Sequence, residues 1–192
     1  MKSKIHFATD LDMVLADSTP VWLYGLYVKY GYFTLKNYKI KVSGVCQEEI
    51  SKFIYERLLL RSNRIQPIKS SINALPKILE FFNQKYIPII TSRNKNLFNC
   101  TKEWCYNNLT VPFQLFFTDG IDADKLKIIL ENDIHYFVDD RFKTANDIAP
   151  FIKTSFLINY EWNFDRDVHP NVIRQNNLTQ VLKHLKDKLI NE

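Results

Sequence analysis

Cysteine is scarce in this chain: three residues, Cys46, Cys100 and Cys105, among 192. They form no C-x-x-C pair and any pairing scheme leaves one over, so neither a disulfide framework nor structural zinc has support, and a reducing compartment fits. The four histidines, His6, His135, His169 and His184, show no ligand-like spacing and are expected to be structural or exposed. Long apolar runs are missing too; none approaches the ~20 residues that cross a bilayer. Met1-Lys-Ser-Lys-Ile-His6 meets Asp10 too early to leave room for a signal-peptide core, so a cytoplasmic protein without a membrane partner is expected. There is no internal repeat and no low-complexity linker.

What is present is ordinary globular composition, 46% hydrophobic and 24% charged, enough for one domain with a sizeable insertion and a real core. The net charge of +5 favours anionic substrates such as phosphate esters. Its lysines are scattered rather than clustered, which disfavours nucleic acid as a partner.

Asp10 and Asp12 stand at the end of the apolar run Ile5–Thr9. Spacing of i, i+2 in an extended chain points both carboxylates to one side. Two acids there are costly unless a cation or a reaction uses them. Further short strands are expected at Tyr86–Ile90, ending in Thr91-Ser92-Arg93, at Phe113–Phe117, at Ile134–Val138, ending in Asp139-Asp140-Arg141, and at Thr154–Ile158. Pro88 counts against an ideal central strand unless it sits at the first strand residue.

Helices are expected at Glu48–Leu60, at a segment from a Ser70 or Ser71 cap through Phe82, at Asn96–Asn107, Lys125–Glu131 and Thr144–Ile148, and at the end of the chain. Asp119-Gly-Ile-Asp122-Ala-Asp124 reads as a turn and a helix cap, because its glycine is misplaced for a calcium loop. Strands alternating with helices imply an α/β fold, a Rossmann-like core with a mainly parallel sheet. In such sheets ligands sit at the carboxyl ends of strands, where Asp10/Asp12, Thr91/Ser92 and Asp139/Asp140 converge.

Four motifs, Asp10-Leu-Asp12-Met-Val-Leu, Ile89-Ile90-Thr91-Ser92, a lysine near a helix start (Lys125 favoured, Lys127 the alternative) and Phe137-Val-Asp139-Asp140, follow in order across most of the chain. In this the sequence resembles the haloacid dehalogenase-like hydrolases. Asp10-Leu-Asp-Met-Val-Leu-Ala-Asp17, with Tyr160-Glu-Trp162-Asn163 and Ile173-Arg174 later, is most similar to the cytosolic and mitochondrial deoxyribonucleotidases. Met13 departs from the family, which usually has glycine there.

The resemblance implies a core of residues 1–18 and 70–192 and a small helical cap at 19–69. It implies a magnesium-dependent phosphomonoesterase in which Asp10 is the nucleophile and Asp12 the general acid and base. Magnesium is assigned to Asp10, the Asp12 carbonyl and Asp140, with Asp139 orienting that shell. Thr91, Ser92 and Lys125 would bind the phosphoryl group. The expected substrate is a small phosphorylated metabolite, with a nucleoside monophosphate leading; sugar phosphates and nucleic-acid ends are alternatives, as is a binding module without turnover. Trp22 and Tyr24 either stack on a base or pack the cap. Arg61 and Arg64 either touch substrate or end a helix in solvent. Homodimerisation is left open.

Overall fold

The computed structural model describes residues 6–31, 34–36, 39–118, 122–164 and 167–189. Its strands are β1 (Phe7–Thr9), β2 (Ala16–Asp17), β3 (Thr34–Lys36), β4 (Lys39–Lys41), β5 (Gln66–Pro67), β6 (Ile87–Thr91), β7 (Phe113–Phe117), β8 (Tyr136–Asp139), β9 (Thr154–Ile158) and β10 (Val172–Gln175). Helices are α1 (Thr19–Tyr30), α2 (Gln47–Arg61), α3 (Lys69–Ile72), α4 (Leu75–Phe82), α5 (Phe98–Asn108), α6 (Asp122–Glu131), α7 (Phe142–Ile148) and α8 (Leu178–Leu189). Six strands form one parallel sheet in the order β10-β9-β8-β1-β6-β7. The fold is therefore α/β with a Rossmann-like core, and no helix among the described residues is long and apolar enough to cross a membrane.

Period-2 alternation builds the two layers. Phe7, Ile87, Ile89, Tyr136 and Val138 join Leu75 and Ile78 of α4 and Leu178, Val181, Leu182 and Leu185 of α8 in the larger core. The intervening Ala8, Ile90 and Phe137 face the opposite layer, with Ile129 of α6 and Ile148 of α7. β1 and β8 lie side by side at the middle of the sheet, so their carboxyl ends meet.

Pro88 is the second residue of β6, not the first. Its missing donor is tolerated because β1 pairs with β6 only at Thr9–Ile89. Ahead of that pairing the Gln84 side chain replaces the ladder. Its Oε1 accepts from His6 N (3.0 Å) and Phe7 N (2.7 Å), and its Nε2 donates to Phe7 O and Tyr86 O.

Two further expectations are corrected. The helix read from Ser70 to Phe82 is broken into α3 and α4 where Pro76 starts a new helix, and neither serine caps. Ser71 lies inside α3, and its Oγ accepts from Leu178 N instead. The inserted segment is not purely helical: β3 and β4 form an antiparallel hairpin between α1 and α2. Trp22, Leu26, Ile40, Val42 and Ile50 give this insertion its own apolar cluster. Antiparallel β2 and β5 (Ala16–Pro67, Asp17–Gln66) tie its two ends together. Asp119, Gly120 and Ile121 of the expected turn lie outside the described residues.

Candidate active site

Parallel pairing delivers Asp10 and Asp139 to one place. Asp10 follows β1, and its backbone N–H donates to Val138 O (2.8 Å), extending the β1–β8 ladder by one residue. Lys125, in the first turns of α6, is 0% exposed. Its Nζ lies 3.1 Å from Asp10 Oδ2 and 2.8 Å from Asp139 Oδ2. The second Asp139 oxygen accepts from Arg141 N (2.8 Å), so that carboxylate is held on both sides. Lys127 is exposed and pairs with Glu131 at the surface.

Asp10, Asp139 and Asp140, all buried, bring ligand oxygens within 4.8 Å of one another. Burial is the largest influence on Asp10 and pushes it up; Asp139 and Asp12 add to this, while Lys125 and the Leu11 N–H oppose, leaving it raised to about 7. Burial also works to lower Lys125, but Asp10 and Asp139 overcome it and hold the ammonium above its ordinary value. The ammonium of Lys125 meets Asp10 and Asp139 at the edge of this three-carboxylate group. An all-oxygen set of this kind fits a hard divalent cation, and such a cation would return Asp10 to its ionised form.

Asp12 is engaged differently. Arg93, directly after Thr91-Ser92, clamps it with Nε to Oδ2 (2.8 Å) and Nη2 to Oδ1 (2.7 Å). The third nitrogen, Nη1, donates to Thr101 Oγ1 (3.1 Å), which fixes the guanidinium against α5. Burial alone would raise Asp12, but the Arg93 charge and its hydrogen bonds, with help from Ser18 and Lys125, hold the carboxyl below its ordinary value. Fork-to-fork pairing of this kind fixes orientation as well as charge.

Thr91 is fully buried, with its Oγ1 accepting from Arg93 N (3.3 Å). Ser92 is half-buried and contacts the Thr118 hydroxyl at 3.5 Å, a long approach. Of the two, Ser92 is the hydroxyl open to a ligand.

On the other flank, Asn163 donates to Asp140 O and Ile158 O (2.8 Å each) and accepts from Arg174 Nη1 (3.3 Å). Arg174 Nη2 also donates to Asn163 O, so this pair anchors the backbone beneath Asp140. Met13 adopts φ +59°, the left-handed region where glycine is at ease, and is nonetheless buried. Its carbonyl accepts from Tyr160 OH (2.8 Å) and its sulfur from the Thr19 hydroxyl.

The structure thus brings together Asp10, Lys125, Asp139 and Asp140, with Asp12, Thr91 and Ser92 at the neighbouring strand and loop ends. It does not bring Trp22 there: that ring is buried inside the insertion's own cluster. Tyr24 is 66% exposed on α1; Arg61 ends α2, and Arg64 is exposed just beyond it. Sequence reasoning missed Arg93, Thr118 and the support role of Asn163. For Arg93 a signal existed, a lone cation at the carboxyl end of a buried strand facing two aspartates. No protein-family model matches the chain, and no curated protein matches it.

Proposed function

We propose that the protein is a magnesium-dependent phosphomonoesterase of the haloacid dehalogenase-like type, with a 5′(3′)-deoxyribonucleotide as the leading substrate. The observation that carries this reading is the buried Asp10–Lys125–Asp139–Asp140 cluster at adjacent strand ends, with Asp12 two residues beyond the nucleophile. The ordered motifs and the inserted segment, which leaves the core just after Asp12, support it further.

Asp10 attacks phosphorus, the bond from phosphorus to the leaving alcohol breaks, and an aspartyl-phosphate forms. Asp12 gives its proton to the departing oxygen. The same carboxylate then removes a proton from water, which cleaves the acyl phosphate and frees inorganic phosphate. Lys125 and the Ser92 hydroxyl stabilise the phosphoryl oxygens. Magnesium, held by Asp10 and Asp140 with Asp139 steadied by Lys125, would supply charge neutralisation at the phosphoryl group. Arg93 suits Asp12 to the second, base half of the cycle, so the first half needs that clamp relaxed or a proton acquired against it.

The test is steady-state phosphate release from nucleoside monophosphates, sugar phosphates and a 3′-phosphorylated oligonucleotide, with magnesium or with EDTA. Magnesium-dependent release favouring deoxynucleotides is expected, and Asp10→Asn should abolish it while the protein stays folded. Preference for a sugar phosphate or the oligonucleotide discards the nucleotidase assignment. Binding without turnover on every substrate discards the enzyme.

A further inference from the structure

At the amino ends of β1 and β8, the pole opposite Asp10 and Asp139, His6 and His135 face each other. Their Nδ1 atoms are 3.3 Å apart and their rings are tilted by 56°. The residues are 129 positions apart in sequence and become neighbours only because β1 and β8 pair. Four residues of strand, at about 3.3 Å each, separate His6 from Asp10, so this pair is distinct from the carboxylate cluster.

Both rings are held from behind. His6 stacks on Phe82 (centroids 6.0 Å apart, planes at 22°), and its backbone N–H donates to Gln84 Oε1, which fixes the main chain that carries the ring. His135 Nε2 contacts Asp133 Oδ1 at 3.1 Å. A carboxylate accepting from one ring nitrogen places the proton there and leaves the other nitrogen with a lone pair, as in carboxylate–histidine–metal arrangements. His135 Nδ1 therefore presents its lone pair toward His6 Nδ1.

We propose that His6 Nδ1 and His135 Nδ1 form a binding site for a borderline divalent transition metal of the zinc class. With metal–nitrogen bonds of about 2.05 Å, two nitrogens 3.3 Å apart subtend about 107° at the metal, close to the tetrahedral angle zinc prefers. Two nitrogen–metal bonds form, His6 moves its ring proton from Nδ1 to Nε2 through solvent, and water fills the remaining positions. Imidazole donors select zinc, nickel or copper, whereas the all-oxygen cluster at the other pole selects hard cations. The bound ion would clamp the amino ends of the two central strands, so it would raise stability with the logarithm of free metal concentration above its Kd.

The experiment is a zinc chloride titration of the full chain in excess magnesium chloride, followed by long-range proton–nitrogen correlation of the four imidazoles. His6 and His135 Nδ1 should shift together and saturate at one equivalent, with His169 and His184 unmoved. The thermal midpoint should rise with zinc in the wild type and in Asp10→Asn. His6→Asn and His135→Asn should each weaken binding by more than about tenfold, as loss of a ligand exceeds loss of a supporting partner. Zinc that leaves both Nδ1 resonances in place, or that binds His135→Asn as tightly as the wild type, overturns the site. Should either variant fail to fold, the wild-type spectrum alone decides.

Discussion

Arg93 sets the charge of Asp12, and that creates a tension the proposed chemistry must resolve. A general acid works only while protonated, so the activity it supports falls as pH rises through its pKa. With Arg93 in place that limb lies low, because the guanidinium favours the carboxylate. Arg93→Gln removes the charge that holds Asp12 ionised and should therefore move the descending limb of kcat/KM to higher pH. A raised KM with an unmoved pH profile would instead make Arg93 a phosphate ligand. Met13 poses a different contest. Its left-handed backbone costs about 1 kcal/mol, while its buried side chain contributes about 2–3 kcal/mol. Burial wins, so Met13→Gly should lower stability by roughly 1–2 kcal/mol in urea unfolding, with turnover retained because both carboxylates keep their loop. A stabilised Met13→Gly would show that strain outweighs packing at this position.

At the level of elements, β1 is only three residues long and depends on a side chain for part of its hydrogen bonding. Removing Gln84 leaves His6 N and Phe7 N without their acceptor at a mostly buried position. Gln84→Ala should cost about 2–4 kcal/mol, more than an ordinary buried glutamine, as read from urea unfolding. A loss below ~1 kcal/mol would mean that water or a shifted strand substitutes for the amide. Nothing in the local sequence marks Gln84, since the two strand donors it accepts from lie 77 and 78 residues away. The same holds for the Asp12–Arg93 clamp across 81 residues. What could be read was local: apolar runs of strand length, carboxylates and hydroxyls at their ends, and the helical spacing of Leu178, Val181, Leu182 and Leu185. Those alone gave the parallel α/β order and the convergence of Asp10 with Asp139. The β3–β4 hairpin was hidden because its strands are three residues each, too short to display an alternation. The break before α4 was visible in Pro76, but the continuous apolar stripe around it obscured the new start. Trp22 is occupied in the cluster with Leu26 and Ile50, whereas Tyr24 and Tyr27 of α1 are exposed.

For the whole molecule, the carboxylate cluster couples stability to proton count and, under the proposed function, to cation binding. Asp10 titrates near 7 in the fold against 3.8 for its ordinary value. Between those values the unfolded chain holds fewer protons than the native one, so native stability falls as pH rises from about 4 to 7. Asp12 has the opposite sign: its lowered carboxyl contributes stability above its ordinary value and loses it as pH falls. In metal-free buffer at pH 8, Asp10→Asn removes the unfavourable ionisation and should raise the thermal midpoint. For a chain of this size each kcal/mol gained moves the midpoint up by about 2–4 °C. At pH 4, where Asp10 is already neutral, the two proteins should melt together. The magnesium binding proposed for this cluster would require the ionised carboxylate, so at pH 7 it should expel about half a proton per site. Calorimetric titrations in two buffers of different ionisation enthalpy measure that number directly. Asp10→Asn has no proton to release there, and its titration should be independent of the buffer. A wild-type titration that is equally buffer-independent would mean that Lys125 already keeps Asp10 ionised, and the fall in stability toward neutral pH would then have to vanish with it.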